Sequence, residues 1–301
     1  MPSPTSPPRR LLLGAAATLA ALTLVLAACG SDDGDEAGSD TTTEPAAEGA
    51  EATVDTELLD QAAEDYQAYV VEQTDALVAD VAVFTDAVRA GDVEAAKAAY
   101  APSRQRWEAI EPIAGLIEEV DVAVDARVDD YDGPEDPGWT GWHKLEFQLW
   151  EEGEITDGAE LADELDAQIQ SLADEAPELE LTPLDQARGS QELIEEVTNG
   201  KITGEEDRYS HTDLWDFAAN VEGSEVALEL LAPALEQADP ELLAAIEDGF
   251  AEVEAGLEPY RDGEGYVSYE ELTDDDQAQL QAVLAELSEH LAEVPPALGL
   301  G

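Results

Sequence analysis

The chain has 301 residues, with 73 acidic side chains against 12 basic ones and a formal net charge of −61. Charge of that size excludes nucleic acid and anionic surfaces as partners, and it concentrates cations around the protein. One cysteine and one methionine exclude an internal disulfide and a sulfur-rich metal centre.

Arg9 and Arg10 precede the apolar run 11–28, which closes on Leu26-Ala-Ala-Cys29. A basic start, a short apolar stretch and small residues before the break read as an export signal over 1–28. Leu-Ala-Ala-Cys resembles the bacterial lipobox, which makes Cys29 the site of lipidation and the first mature residue. The paired arginines leave general and twin-arginine export both open. Within 29–54, the stretch from Ser31 to Thr53 is nearly all Asp, Glu, Gly, Ser, Thr and Ala, with almost no large apolar side chain. Such a composition cannot bury enough surface to offset the entropy of ordering, so 29–54 is expected to form a flexible acidic tether.

The folded part is expected over 55–298. Leu58, Leu59, Ala62, Tyr66, Tyr69, Val70 and Leu77 recur at helical spacing and predict a helix over 56–89, stopped by Gly91-Asp92. A second stretch over 93–119 contains Pro102 and Pro112, each of which predicts a kink or break. Further helices are predicted over 122–128, 141–150, 158–174, 183–198, 212–237, 240–257 and 269–293. Residues 266–269 come nearest to a strand and are too few to change the class, which is all-α.

Within this frame His143 stands three residues before Glu146, in an apolar run that begins at Trp139. On a helix the two project from nearly the same side and offer a nitrogen and a carboxylate oxygen to one ion. Glu108 and Glu111 form a second pair and Asp121 and Asp125 a third, each on one helical face. Pro112 frees the carbonyl of Glu108 and re-aims its neighbours. Inward carboxylates and one imidazole on facing helices suit iron, manganese or zinc better than copper(I). The competing use of Glu108 and Asp121 is an ion pair with Arg104, Arg106 or Arg127. Ser210 or Thr212 is expected to cap the helix that follows, with Asp213 favouring its dipole, and a second metal contact at His211 and Asp213 is the rival. His290, on a late acidic helix, is expected at the surface. His-Glu-x-x-His and Gly-x-Ser-x-Gly are both missing from the sequence, so the chain is read as a non-enzyme.

The segments 69–77, 84–92, 99–104, 107–114 and 141–146, together with Gly200-Lys-Ile-Thr-Gly-Glu-Glu-Asp-Arg-Tyr-Ser-His-Thr-Asp-Leu-Trp-Asp-Phe217, resemble the EfeO family. Its members are extracytoplasmic components of EfeUOB-type bacterial iron uptake, with an imelysin-like, peptidase-like helical domain. The resemblance implies two four-helix bundles end to end, split near 178–182. It implies iron delivery to a membrane permease alongside a haem peroxidase-like partner, at the outer face of the cell membrane. Matched position by position, it places metal ligands at Glu108, Glu111, Asp125, His143 and Glu146. Glu146 has the alternative role of orienting a ligand. Iron is the implied ion, in either oxidation state, with zinc or copper as substitutes in vitro. Many members carry a cupredoxin domain where this chain has only the tether. Among helix-only relatives one type is associated with alginate, so metal-dependent binding of an acidic polysaccharide is the alternative function. A metallopeptidase ranks behind it.

Overall fold

The computed structural model describes residues 54–301. The export signal, Cys29 and nearly all of the tether lie outside the described residues. Helix α1 spans Thr56–Ala90 between an Asp55 cap, whose side chain accepts from the Glu57 amide, and Gly91 in the left-handed region. Its inner stripe of Tyr66, Val70, Leu77, Val81, Phe84 and Val88 is fully or almost fully buried. That stripe follows from apolar positions three and four apart.

Helix α2, Val93–Ile110, runs through Pro102 without interruption. Pro112 acts differently from Pro102. The helix ends before it and the chain tightens into a 3-10 turn, Glu111–Leu116, before α3, Glu118–Asp125. The expected stretch 93–119 is therefore divided, and α3 begins ahead of the expected 122. Glu118, Glu119 and Asp121 fill its first turn, where the helix dipole favours negative charge. The carbonyl of Glu108, freed by Pro112, accepts from the Glu111 amide and from Asn220 Nδ2 at 3.1 Å.

Helix α4, Gly141–Phe147, continues into a π-turn over Gln148–Glu152. It is followed by α5, Gly158–Glu175, and α6, Pro183–Asn199. Three further helices follow: α7, Asp213–Ala238; α8, Pro240–Leu257; and α9, Asp274–Ala292. A last turn, α10, covers Val294–Ala297. The expected helix 269–293 starts late because Thr273 caps it, accepting from the Asp276 amide at 3.2 Å. Of the strand-like 266–269, only Tyr266 pairs. Strands β1, Arg261–Asp262, and β2, Gly265–Tyr266, form one antiparallel hairpin. Apart from it, the described residues are all-α.

Helix α1 packs against both α2 and α5, while α6, α7, α8 and α9 pack in a ring, each on two of the others, and the chain crosses between the groups over 179–182. Helix α7 touches α1 and α2 as well, and the buried apolar residues of both groups form one continuous core. Among the described residues, no helix is long and apolar enough to cross a membrane.

One glycine fixes where His143 sits. Gly141 opens α4 at φ +80°, and a Cβ there would lie 2.1 Å from the carbonyl oxygen of Val124. Gly141→Ala is thus expected to push α4 off the end of α3 and to destabilise the fold by about 2 kcal/mol or more, strain and displacement together. Urea unfolding checks this, and a loss below about 0.5 kcal/mol would show that the contact relaxes freely.

Candidate metal centre

One face of α2 presents Tyr100, Arg104, Trp107, Glu108 and, just past its end, Glu111. Asp125 comes from the last turn of α3, and His143 and Glu146 come from α4. Opposite them stand Lys201, the loop residues Glu206 and Asp207, and Asp213, Asp216 and Asn220 from the start of α7. The buried charged residues include seven carboxylates, Glu108, Asp125, Glu146, Glu206, Asp207, Asp213 and Asp216, against the basic Arg104 and Lys201. Burial penalises each uncompensated charge, so a cluster this short of cations must take up protons or bind a cation.

Arg104 is completely enclosed. Its guanidinium donates to Glu108 and to Asp125, and Nε donates to Asp216 Oδ2 at 3.0 Å. Lys201 Nζ donates to Glu108 Oε2 at 3.0 Å and Glu111 Oε2 at 2.6 Å. Asn220 Nδ2 donates to the same two oxygens at 2.9 and 2.7 Å. The Glu108–Glu111 pair is therefore occupied by fixed cations and an amide. Burial drives the Glu111 carboxyl well above the usual carboxylate range even so, with Lys201 pulling the other way.

His143 is the hinge of the remaining groups. Its Nδ1 lies 3.2 Å from Glu146 Oε2, 3.4 Å from the Tyr100 hydroxyl and 3.9 Å from Asp207 Oδ1. Its Nε2 lies 3.4 Å from Asp125 Oδ1 and 3.6 Å from Glu206 Oε1, and makes no hydrogen bond. Metal–ligand bonds of about 2.0–2.2 Å in a tetrahedral site separate neighbouring ligand atoms by about 3.3–3.6 Å, the spacing found on the Nε2 side. Two sets of ligand atoms lie within 4.8 Å of one another: Asp125, His143 and Glu206, and His143, Glu146 and Asp207.

The carboxylates around the imidazole differ in charge state. Burial opposes ionisation of Asp125, but Arg104 and His143 outweigh it and hold the carboxyl well below the ordinary range. Glu206 is likewise pulled down to about 2 against burial, chiefly by Lys201. Asp207 is pushed up to about 6 by burial and the negative charge of Glu146. Burial and Arg104 both disfavour a charged His143, yet the neighbouring carboxylates of Asp125, Glu146 and Glu206 win and raise it well above 6.5.

Of the residues singled out in the sequence, Asp125, His143 and Glu146 meet at this centre. Glu108 and Glu111 border it through Arg104 and Lys201. Asp121 stands at its edge, half-buried, with burial and Asp125 lifting its carboxyl to about 7. Glu206 and Asp207 went unnoticed, although Glu205-Glu206-Asp207 directly follows Gly204 in a segment already set apart by its motif. Neither Ser210 nor Thr212 caps α7 with its side chain. Ser210 Oγ and the amides of Tyr209 and Ser210 all bond Glu146 Oε1, at 2.9, 2.9 and 2.7 Å, and Thr212 Oγ1 donates to Asp207. Asp213 opens α7 as expected, but its Oδ1 accepts from the Asp207 amide at 3.0 Å. His211 has a left-handed backbone, φ +57°, and bonds Asp207 and Tyr269 through its main chain. His290 is partly exposed near the end of α9.

A sequence model of the imelysin family matches residues 62–294. Over 236 residues the chain is 47% identical to the iron uptake system component EfeO of Escherichia coli O157:H7. It is 46% identical to the proteins of that name from E. coli strain K12 and Shigella flexneri. These alignments cover 78% of this chain and 63% of each relative, so the chain spans less than two thirds of their length. With the family model spanning most of the sequence, and with the helical domain and its buried acidic centre lying inside the matched region, the chain belongs to the imelysin family.

Proposed function

We propose that this protein is an exported lipoprotein, anchored through Cys29, that binds iron and passes it to a membrane permease in an uptake system with a haem peroxidase-like partner. The names of its relatives support the iron uptake role. The observation that carries the binding reading is the imidazole Nε2 of His143, buried without a hydrogen bond and facing two ionised carboxylates at ligand spacing. Asp125, His143 and Glu206 are the ligands in this reading. Glu146 accepts from Nδ1 and fixes the ring, an arrangement that raises the basicity of a ligating imidazole. Its other oxygen already accepts three hydrogen bonds, which suits an orienting role better than ligation. Glu108 and Glu111 keep Lys201 and Arg104 in place and set the local charge. A binding protein needs only affinity and release, and this reading assigns the centre no catalytic step.

The test is titration of the full chain with ferrous and ferric iron, zinc and copper at physiological salt, which suppresses loose binding to the acidic surface. Wild type is expected to bind iron at one buried centre. Asp125→Asn combined with His143→Ala should weaken binding by about 100-fold or more, and Glu146→Gln by about tenfold. Equal affinity in wild type and the double variant would overturn this assignment of the site.

A further inference from the structure

We infer that cations reach the buried centre through an acidic portal between α3 and α6, and that Arg127 is its gate. The inference rests on the metal-binding reading above.

A cavity of about 400 Å³ lies against α3, the turn that follows it and α6. Asp121, Glu196 and Glu111 line its walls, and Asp125 and Glu206 line it from the inner side. His143 does not line it, but its unpartnered Nε2 faces those same two carboxylates from behind, at 3.4 and 3.6 Å. Asp125 and Glu206 therefore stand between the cavity and the imidazole. Glu206 divides its oxygens between the two sides. Oε1 is the atom nearest His143, while Oε2 accepts from Arg127 Nη1 at 2.7 Å.

That ion pair sits at the boundary of the fold. The Glu206 side chain is 4% exposed and that of Arg127 28%. A cation arriving through the cavity, which Arg127 also lines, meets the guanidinium on Oε2 before it reaches Oε1, so the guanidinium must move aside for the ion to pass. Glu196 lines the same cavity as Arg127 and offers the displaced guanidinium a second carboxylate. The acidic walls attract the incoming ion, and Arg127 sets how fast it enters and leaves.

Removing Arg127 separates gating from simple electrostatics. Loss of a positive charge beside a bound cation slows the cation's departure, whereas loss of a gate hastens it. The experiment is anaerobic stopped-flow binding of ferrous iron to the full chain. Intrinsic fluorescence is the readout, since Trp107 Nε1 donates to Asp125 Oδ2 at 3.0 Å, and release is driven by a colorimetric chelator. Arg127→Ala is expected to raise association and dissociation rates together by about tenfold, with Kd within about threefold of wild type. Asp121→Asn with Glu196→Gln is expected to slow association about threefold or more and to flatten its salt dependence, as loss of steering charge requires. Unchanged or slower release from Arg127→Ala would overturn the gate, and unchanged association in the wall variant would overturn the portal. Failure of wild type to bind iron at all would instead sink the metal-centre reading itself.

Discussion

Replacing Arg104 by alanine is expected to destabilise the protein by about 3–5 kcal/mol, the largest stability loss of any single substitution near the centre. The side chain is fully enclosed and pairs with Glu108, Asp125 and Asp216. Removing it leaves three buried carboxylates short of a partner and a cavity beside Trp142, whose ring faces the guanidinium carbon at 5.4 Å. Arg104→Met, which restores volume but not charge, isolates the electrostatic share. The pH dependence carries the sign. In wild type Asp125 has its carboxyl depressed below the unfolded value of about 3.9, so its stabilisation is complete above that pH and is lost only on further acidification. Without the arginine, only His143 and Lys201 are left to oppose burial, and the folded value is expected to rise above the unfolded one. The variant then takes up protons on folding and recovers stability as pH falls. The gap between wild type and Arg104→Met should be widest near pH 7–8 and shrink toward about pH 4. Urea midpoints across that range measure it. A gap independent of pH would mean that packing, not charge, is what Arg104 supplies.

Helices were legible because apolar spacing along α1, α5 and α6 is set by the same core that the structure shows. Boundaries failed where local chemistry acts on single bonds, as at Pro112, which ends α2, and Thr273, which delays α9. Pro102, by contrast, is absorbed within α2, and proline alone does not distinguish the two outcomes. At the centre, His143 and Glu146 could be paired from their spacing because both lie on one short helix. Glu206 and Asp207 could not. They come from a loop whose position depends on Gly204, on main-chain bonds to Asp213 and on the packing of α7 against α2. Glu108 shows the converse difficulty. Its spacing reads as a ligand pair with Glu111 or as an ion-pair partner of Arg104 one turn back, and neither reading contains Lys201, which arrives from nearly a hundred residues away to bond both glutamates.

Iron affinity is expected to fall as pH falls, and the slope identifies which oxygens surround the ion. Binding needs an unprotonated imidazole, and the His143 value is raised well above 6.5, so at neutral pH the ion must displace its proton. If the ligands are Asp125, His143 and Glu206, no further proton is lost between pH 7.5 and 5.5. Asp125 is held far down by Arg104, and Glu206 lies at about 2. Affinity should then drop about tenfold per pH unit, or about 100-fold over that range. Binding on the Nδ1 side, through Glu146 and Asp207, predicts a steeper fall below about pH 6, because Asp207 begins to hold a proton there. Asp207→Asn discriminates again, since it should leave the shallow slope untouched and abolish the steep component. Titrations at half-unit pH steps, with the released protons counted in weakly buffered solution, give the slope directly. An affinity flat from pH 7.5 to 5.5 would place the ion away from His143 altogether, because no ligand set that uses this imidazole can bind without expelling its proton.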